Sequence, residues 1–165
     1  AFWAFYSLTF LGAVKDGKCF LIEPDKHALQ SGKHNFRLNN AKGTFLNYFI
    51  SDEPAPGKIP TISVDDFMKQ YAVPSISILH SDIQGFELKM LKGARKALSD
   101  GAVDYIFIST HSNTLHQDCI ALLKTFSYQV LCEADLDASY SEDGLIVAKK
   151  LGITSPEKID ICKTR

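Results

Sequence analysis

The chain has 165 residues, 45% of them hydrophobic and 22% charged, which is the composition of one globular domain with a full apolar core. Its formal net charge of −1 at pH 7 excludes a general electrostatic attraction to nucleic acid or to an anionic membrane, so we expect neither as a partner. Scattered cysteines without a C-x-x-C pair favour reduced thiols in a cytoplasmic protein over disulfides or a zinc site.

The first half of the chain predicts helices and strands in alternation. The apolar opening, residues 1–14, is too short and too interrupted to span a bilayer, and its length favours a helix over a strand. Residues 18–25 form an apolar run that ends in two acids around a proline, which is typical of a buried strand. Asp65 is placed to N-cap a short helix. The predicted elements of this half are helices over 1–14, 27–40 and 65–71, strands over 18–25 and 44–51, and a loop over 52–60.

The second half continues the alternation and predicts an α/β fold. Its predicted elements are a strand that ends before Asp82, a helix over 86–98, a strand over 103–111, a helix over 116–127, and strands over 128–135 and 144–150. This order predicts a Rossmann-like, doubly wound, mostly parallel sheet. No helix separates the last two strands, so we expect the last strand to be antiparallel. We predict one domain over residues 1–150 and a C-terminal tail over 151–165.

Two polar residues come at the ends of predicted parallel strands. Asp82 follows its strand directly, and His111 ends the next one, so both are expected at the edge where open α/β sheets bind ligands. Asp82 has an alternative role as the N-cap of the following helix. His111 is suited to act as a general base near neutral pH or as a second metal ligand beside Asp82. Its alternative is a hydrogen-bonded structural histidine.

Two stretches of the chain resemble a known family. IEPDKHALQSGKHNFRLNN at residues 22–40 and SDIQGFELKMLKGA at residues 81–94 resemble the FkbM family of methyltransferases, and IFISTH and SEDGLIVA complete the pattern. The resemblance covers roughly residues 1–149 and implies the class I methyltransferase fold with S-adenosylmethionine (SAM) as cofactor. The family's first strand and glycine loop should precede the opening helix. Here they are missing, and Ala4 stands where a glycine is usual. We therefore expect a truncated chain that binds SAM poorly or not at all; the alternative is that the remaining strands close the gap left by the first strand.

The resemblance implies cofactor contacts in the first half of the chain. Glu23 is expected to accept hydrogen bonds from both ribose hydroxyls of SAM, because one carboxylate can accept the two side by side. Its alternative is a surface acid before a proline. Ser51 and Asp52 are expected near the adenine, with a plain loop as the alternative. Tyr6 is a further candidate contact, although helix packing explains it as well.

The second half of the chain supplies the implied catalytic and acceptor residues. The resemblance implies that Asp82 lies beside the methyl group of SAM. There it would deprotonate a hydroxyl directly or hold a divalent cation, with His111 as its catalytic partner. Gln84 stands where the family often has glutamate, which removes one charge from any metal site. Glu87 alternatively interacts with the helix dipole. Asp143 and Tyr140 belong to a loop that is expected to line the acceptor pocket. The alternative is a polar surface loop without a role in binding. The implied acceptor-binding residues are Gln84, Glu87, Tyr140 and Asp143.

These features lead to one main hypothesis for function. The chain is predicted to be a SAM-dependent methyltransferase that methylates a hydroxyl on a sugar, glycan or natural product, so its partner is a small-molecule or glycan acceptor. One alternative is an inactive or truncated binding module with the methyltransferase fold. A metal-dependent hydrolase that uses Asp82 and His111 is less favoured, because two ligands make a poor metal site. The sequence predicts no oligomeric state.

Overall fold

Helices and strands alternate along residues 3–162, the part of the chain that the computed structural model describes. The helices are α1 (Phe5–Ala13), α2 (Lys26–Leu38), α3 (Val64–Gln70), α4 (Glu87–Lys92), α5 (Arg95–Ser99) and α6 (Asn113–Thr125). The strands are β1 (Phe20–Ile22), β2 (Thr44–Leu46), β3 (Phe49–Ile50), β4 (Thr61–Ile62), β5 (Ile76–Ser81), β6 (Val103–Thr110), β7 (Tyr128–Ala134) and β8 (Gly144–Lys150). None of the described helices is long and apolar enough to cross a membrane.

The chain divides into two compact units. The first comprises the residues up to Ile50 together with Pro54–Ile62, and the second comprises Ser51–Glu53 together with the residues from Ser63 onward. In the first unit, β1 pairs with β2 and β3 pairs with β4, both in parallel. The buried core of this unit contains Ala4, Leu21 and Phe36.

A sharp interruption divides the predicted strand over residues 44–51 into β2 and β3. Asn47 lies at the interruption, and its side-chain amide donates to the carbonyl oxygens of Glu23 at 2.9 Å and Pro24 at 2.8 Å. A side chain that is occupied in this way supports a turn rather than a continuous strand ladder. The short strand β4 follows the predicted loop and was not predicted, because two residues carry no readable period.

The second unit contains a four-stranded sheet in the order β5-β6-β8-β7. β5 is parallel to β6, whereas β8 is antiparallel to both β6 and β7, so the predicted antiparallel last strand is confirmed. Ile106, Ile108 and Ile146 are fully buried and form part of its core. β5 lies at one edge of this sheet within the described residues, and Ile78 on it remains 43% exposed.

Three predicted helix boundaries are wrong, each for a local reason. Ser63, not Asp65, caps α3, because its hydroxyl accepts from Asp66 N at 3.0 Å. The Asp65 carboxylate instead accepts from the backbone N–H groups of Lys96 and Ala97, both at 2.9 Å, at the start of α5. The predicted single helix over 86–98 is two helices that meet around residues 93–94. The predicted helix over 116–127 begins earlier, at Asn113, with Ser112 as its N-cap.

Candidate functional site

The loop between β5 and α4 is held by a buried carboxylate. Gln84 and Gly85 have φ values of 55° and 97°, so two successive residues in the left-handed region turn the chain sharply. Glu87 is fully buried, and its carboxylate accepts from Ile83 N at 3.0 Å and from Gly85 N at 3.1 Å. The N-cap residue of α4 is Phe86, and no side chain caps it, so Asp82 does not act as the helix cap.

His111 is surrounded by three carboxylates. Its Nε2 atom lies 3.3 Å from Asp82 Oδ1 and 3.6 Å from Asp143 Oδ1, while its Nδ1 atom lies 3.0 Å from Glu87 Oε1. Asp82 and His111 lie at the same edge of the sheet because each directly follows one of two paired parallel strands, β5 and β6. We call Asp82, Glu87, His111 and Asp143 the acid–histidine cluster.

The cluster is closed at one end and open at the other. The side chain of His111 is 17% exposed and that of Glu87 is not exposed, whereas Asp82 and Asp143 are 43% and 42% exposed. Both ring nitrogens of His111 are shielded from solvent, and neither has a contact with the geometry of a hydrogen bond. Three acids around one imidazole therefore concentrate negative charge at a place that a ligand can reach from the side of the two aspartates.

Asp143 reaches the cluster because of the strand that follows it. In the antiparallel pairing of β6 with β8, Thr110 aligns with Gly144, so Asp143 comes next to His111. The loop before β8 is tied down by Ser139 and Ser141, whose hydroxyls donate to the carbonyl oxygen of Asp143 at 2.5 and 2.8 Å. The structure thus places Asp143 at the predicted edge of the sheet.

Gln84 and Tyr140 have different surroundings. Gln84 Nε2 donates to Asp82 Oδ1 at 3.2 Å, so an amide supports the aspartate where a glutamate would place a second negative charge. Tyr140 is 72% exposed and is not part of the cluster. Its predicted contact with an acceptor stays a prediction.

His116, which the sequence placed at the start of a helix as a cap-region residue, is instead a buried residue within the helix. His116 is fully buried, with Nδ1 2.9 Å from Thr110 Oγ1 and Nε2 3.1 Å from Glu133 Oε2. It lies within α6, on the face that also buries Cys119, Ile120 and Leu123. The spacing of three to four residues between these side chains is the sequence pattern that predicts the buried face of a helix, and it would have placed His116 on that face. The predicted start of the helix at His116 concealed it.

The first unit holds Glu23 at the end of β1. Glu23 is half-buried, and its Oε1 atom accepts from Asp25 N at 3.0 Å. The two amide contacts of Asn47 tie down the carbonyl groups of Glu23 and Pro24, which are consecutive in the turn that carries the carboxylate. A cleft of about 460 Å³, whose lining includes Pro24, Phe49 and Ile59, lies in the same unit and has the size of a small-molecule site.

The remaining predicted cofactor contacts are on the surface. Ser51 Oγ donates to Asp52 Oδ1 at 2.8 Å, and this hydrogen bond lowers the pKa of Asp52. Tyr6 on α1 is 62% exposed, and its ring meets that of Phe5 edge-on with centroids 5.5 Å apart. Ala4, where the resembled family has a glycine, has a φ of 60°, which is the left-handed region that favours glycine. The roles of Tyr6, Ser51 and Asp52 stay predictions.

Comparison with known sequences and structures identifies the fold. The sequence profile described as "Methyltransferase FkbM domain" matches residues 51–130, and the predicted FkbM resemblance is confirmed. Curated proteins gave no match. The methyltransferase FkbM from Methylobacillus flagellatus KT is similar in structure, with a TM-score of 0.72 and 21% identity over 88% of this chain. This chain spans 41% of the length of that protein.

Two further solved structures share the fold at lower identity. The precorrin-6y C5,15-methyltransferase from Geobacter metallireducens GS-15 has a TM-score of 0.62 and 16% identity over 91% of this chain and 75% of its own. The N-terminal domain of human METTL16 in complex with SAH has a TM-score of 0.54 and 12% identity over 90% of this chain and 57% of its own. The predicted Rossmann-like methyltransferase fold with an antiparallel last strand is thereby confirmed.

Proposed function

We propose that this chain, which belongs to the FkbM methyltransferase family by its residues 51–130, takes part in SAM-dependent methylation of a hydroxyl group on a sugar, glycan or natural product. The observation that carries the proposal is the placement of His111 Nε2 between Asp82 and Asp143 at the carboxyl ends of β5 and β6. Open α/β sheets bind their ligands at this edge. The family membership makes methyl transfer the chemistry to test there, and the acid–histidine cluster favours an acceptor that must lose a proton.

The cofactor supplies the reactive group. SAM, when bound, would supply a methyl group on a sulfonium, and its transfer to the acceptor oxygen would return the electrons of the C–S bond to sulfur and leave SAH. The Asp82–His111 pair, with Oδ1 and Nε2 3.3 Å apart, takes the hydroxyl proton as the new bond forms. Asp143 on the other side of Nε2 stabilises the positive charge that the ring gains. Charge then balances, because one cation is consumed and one proton is released.

Glu87 supports the proposed reaction by positioning His111. It is closed to solvent and lies against His111 Nδ1, so it orients the ring rather than contacting an acceptor. The contact between Glu87 Oε1 and His111 Nδ1 leaves Nε2 on the side of Asp82 and Asp143. Asp82 and Asp143, which solvent reaches, are the residues left to meet the acceptor.

The residues of the first unit fit the cofactor in two respects. A half-buried carboxylate on a turn anchored by Asn47 suits the paired hydroxyls of a ribose, and the cleft lined in part by Pro24, Phe49 and Ile59 offers an apolar surface for a flat ring. Glu23 would hold the ribose. METTL16, which has the same fold, was solved with SAH, and this supports SAM as the methyl donor here.

Calorimetric titration with SAM and with SAH tests the proposal. The sequence predicts poor SAM binding, but because Glu23 and a cleft of ligand size are both present in the first unit, we expect the wild-type chain to bind both molecules. Glu23→Ala should weaken binding by about tenfold or more, which is about 1.4 kcal/mol or more. Glu157→Ala removes an exposed acid elsewhere on the chain and serves as the matched control with unchanged affinity. Equal affinity of the wild type and Glu23→Ala would remove Glu23 from the ribose site. A folded wild-type chain that binds neither molecule would contradict the proposed function.

The acceptor is tested separately from the cofactor. Transfer of a radiolabelled methyl group from SAM to a panel of sugars and glycans should give products that Asp82→Asn does not form, although Asp82→Asn still binds SAM. Retained turnover by this variant would mean that Asp82 takes no part in proton removal.

A further inference from the structure

We infer that Asp82, His111 and Asp143 together bind one divalent transition-metal ion. The carboxylate oxygens of the two aspartates and one nitrogen of His111 all lie within 4.8 Å of one another. The metal site follows from the geometry of the acid–histidine cluster, and its part in catalysis rests on the proposed methyl transfer. Asp143 supplies the third ligand that the sequence did not reveal, so the objection that two ligands make a poor site no longer applies.

The distances from His111 Nε2 to the two aspartate oxygens match the coordination shell of a small ion. Ligands about 2.1 Å from one ion are about 3.0 Å apart at right angles and about 3.4 Å apart at tetrahedral angles. His111 Nε2 lies 3.3 Å from Asp82 Oδ1 and 3.6 Å from Asp143 Oδ1. If hydrogen bonds alone joined these groups, we would expect shorter nitrogen–oxygen distances and more linear contacts than the structure shows.

The surroundings of the His111 ring are the second observation that supports a metal site. Each ring nitrogen exposes less than 1 Å² to solvent, and neither has a partner with hydrogen-bond geometry, which is rare for a buried polar group. Metal-binding histidines commonly direct the second ring nitrogen at a carboxylate, which sets the orientation of the ring. Glu87 Oε1, 3.0 Å from Nδ1, is in that position. The Glu87 carboxylate is itself held by the backbone N–H groups of Ile83 and Gly85.

The donor set indicates the class of ion. Two carboxylate oxygens and one imidazole nitrogen suit Mn²⁺, Fe²⁺, Co²⁺ or Zn²⁺, whereas Mg²⁺ and Ca²⁺ favour oxygen ligands throughout. With a neutral imidazole, the three carboxylates of the cluster carry a charge of about −3, which a divalent ion reduces to about −1. Three protein ligands leave positions open to an acceptor hydroxyl. The ion would hold that oxygen and lower its pKa. Because the His111 nitrogen would then be a metal ligand, the proton would pass to a carboxylate oxygen of the cluster and not to the ring.

Titration with Mn²⁺, followed by electron paramagnetic resonance, tests the site. The free ion has a six-line spectrum that fades on binding, so the experiment reports binding without any turnover. After treatment with a chelator, the wild-type chain should bind one Mn²⁺ per molecule. Asp143→Asn and His111→Gln should each weaken binding by tenfold or more, whereas Glu142→Gln, which removes an exposed charge from the same loop, should leave it unchanged.

Each outcome decides the inference. Failure of the folded wild-type chain to bind one Mn²⁺, or equal affinity in Asp143→Asn and the wild type, would overturn it. Asp143 is the safer position to change, because its side chain is 42% exposed and its loss leaves no core cavity. Calorimetry with SAM on the metal-free chain separates the two proposals: SAM binding without a Mn²⁺ site retains the proposed function alone, and a Mn²⁺ site without SAM binding retains the metal site alone.

Discussion

Glu87 Oε1 lies 3.0 Å from His111 Nδ1, although the Glu87 side chain is fully buried. The same carboxylate accepts hydrogen bonds from the backbone N–H groups of Ile83 and Gly85, so one residue in the first turn of α4 fixes both the loop after β5 and the ring after β6. A buried carboxylate is costly unless it is paired and hydrogen-bonded, and this one is both. Glu87 therefore organises the acid–histidine cluster from inside the protein.

Replacement of Glu87 should destabilise the chain in a graded way. Glu87→Ala leaves the N–H groups of Ile83 and Gly85 without an acceptor, and each loss costs about 1–3 kcal/mol. Glu87→Gln keeps one accepting oxygen and should cost less. Urea unfolding of the two variants and the wild type measures the difference. A loss below about 1 kcal/mol in Glu87→Ala would show that the carboxylate does not hold the loop.

Addition of a methyl group at Gly144 should disturb the support of the cluster. A Cβ atom there would collide with Thr110 Oγ1 and lie 3.0 Å from His116 Nδ1, the two atoms that make a buried hydrogen bond with each other. We expect Gly144→Ala to lower the free energy of unfolding by about 2 kcal/mol or more. Gly12 in α1 is the control, because a Cβ atom there meets nothing within 4 Å and alanine should stabilise the helix by up to about 1 kcal/mol. Similar effects at both positions would contradict the crowding argument.

Tyr128 should make the chain less stable at alkaline pH. Burial, and then the charge of Asp104, raise the pKa of Tyr128 from 10.0 to about 12, while its hydroxyl donates to the carbonyl oxygen of Val103 at 2.6 Å. Because the folded chain keeps this proton where the unfolded chain loses it, the free energy of unfolding should fall as the pH rises from about 10 to about 12.

Tyr128→Phe isolates that contribution. Near pH 7 the variant should lose about 1 kcal/mol, because Val103 loses its donor. Between pH 10 and pH 12 it should fall less steeply than the wild type, so the two unfolding curves converge. Thermal melts across this range measure the effect, and parallel curves would show that Tyr128 ionises alike in both states.

Cysteine reactivity should differ sharply within the chain. Burial, and then the charges of Glu87 and Asp118, raise the pKa of Cys119 to about 12, and solvent does not reach its side chain. Cys162 is exposed. In the folded protein at pH 8, a thiol reagent should label Cys162 quickly and Cys119 only after unfolding, because the thiolate is the reactive form. Mass spectrometry locates the label, with Cys162→Ser as the control. Fast native labelling of Cys119 would mean that α6 opens readily.

Several elements could be predicted from sequence because their signals are local. β5, β6 and β8 are short runs rich in apolar and β-branched residues, and Gly85 marks the turn after β5. The carboxyl-edge positions of Asp82 and His111 then follow from strand order alone. The caps were less predictable: Asp65 looks like a helix cap but holds the start of α5, which is distant in sequence. Which N–H group a carboxylate meets depends on packing.

The sequence by itself determined the alternation of helices and strands, the resemblance to FkbM methyltransferases, and the two residues that follow the strands of the site, because periodicity and short motifs are properties of neighbouring residues. Only the tertiary structure decided that Asp143 and Glu87 would join His111, because strand pairing and the left-handed turn at Gln84 bring these residues together across the chain. The same holds for His116, whose burial depends on where α6 begins and on which face packs. The number of acids around one imidazole is a property of that packing.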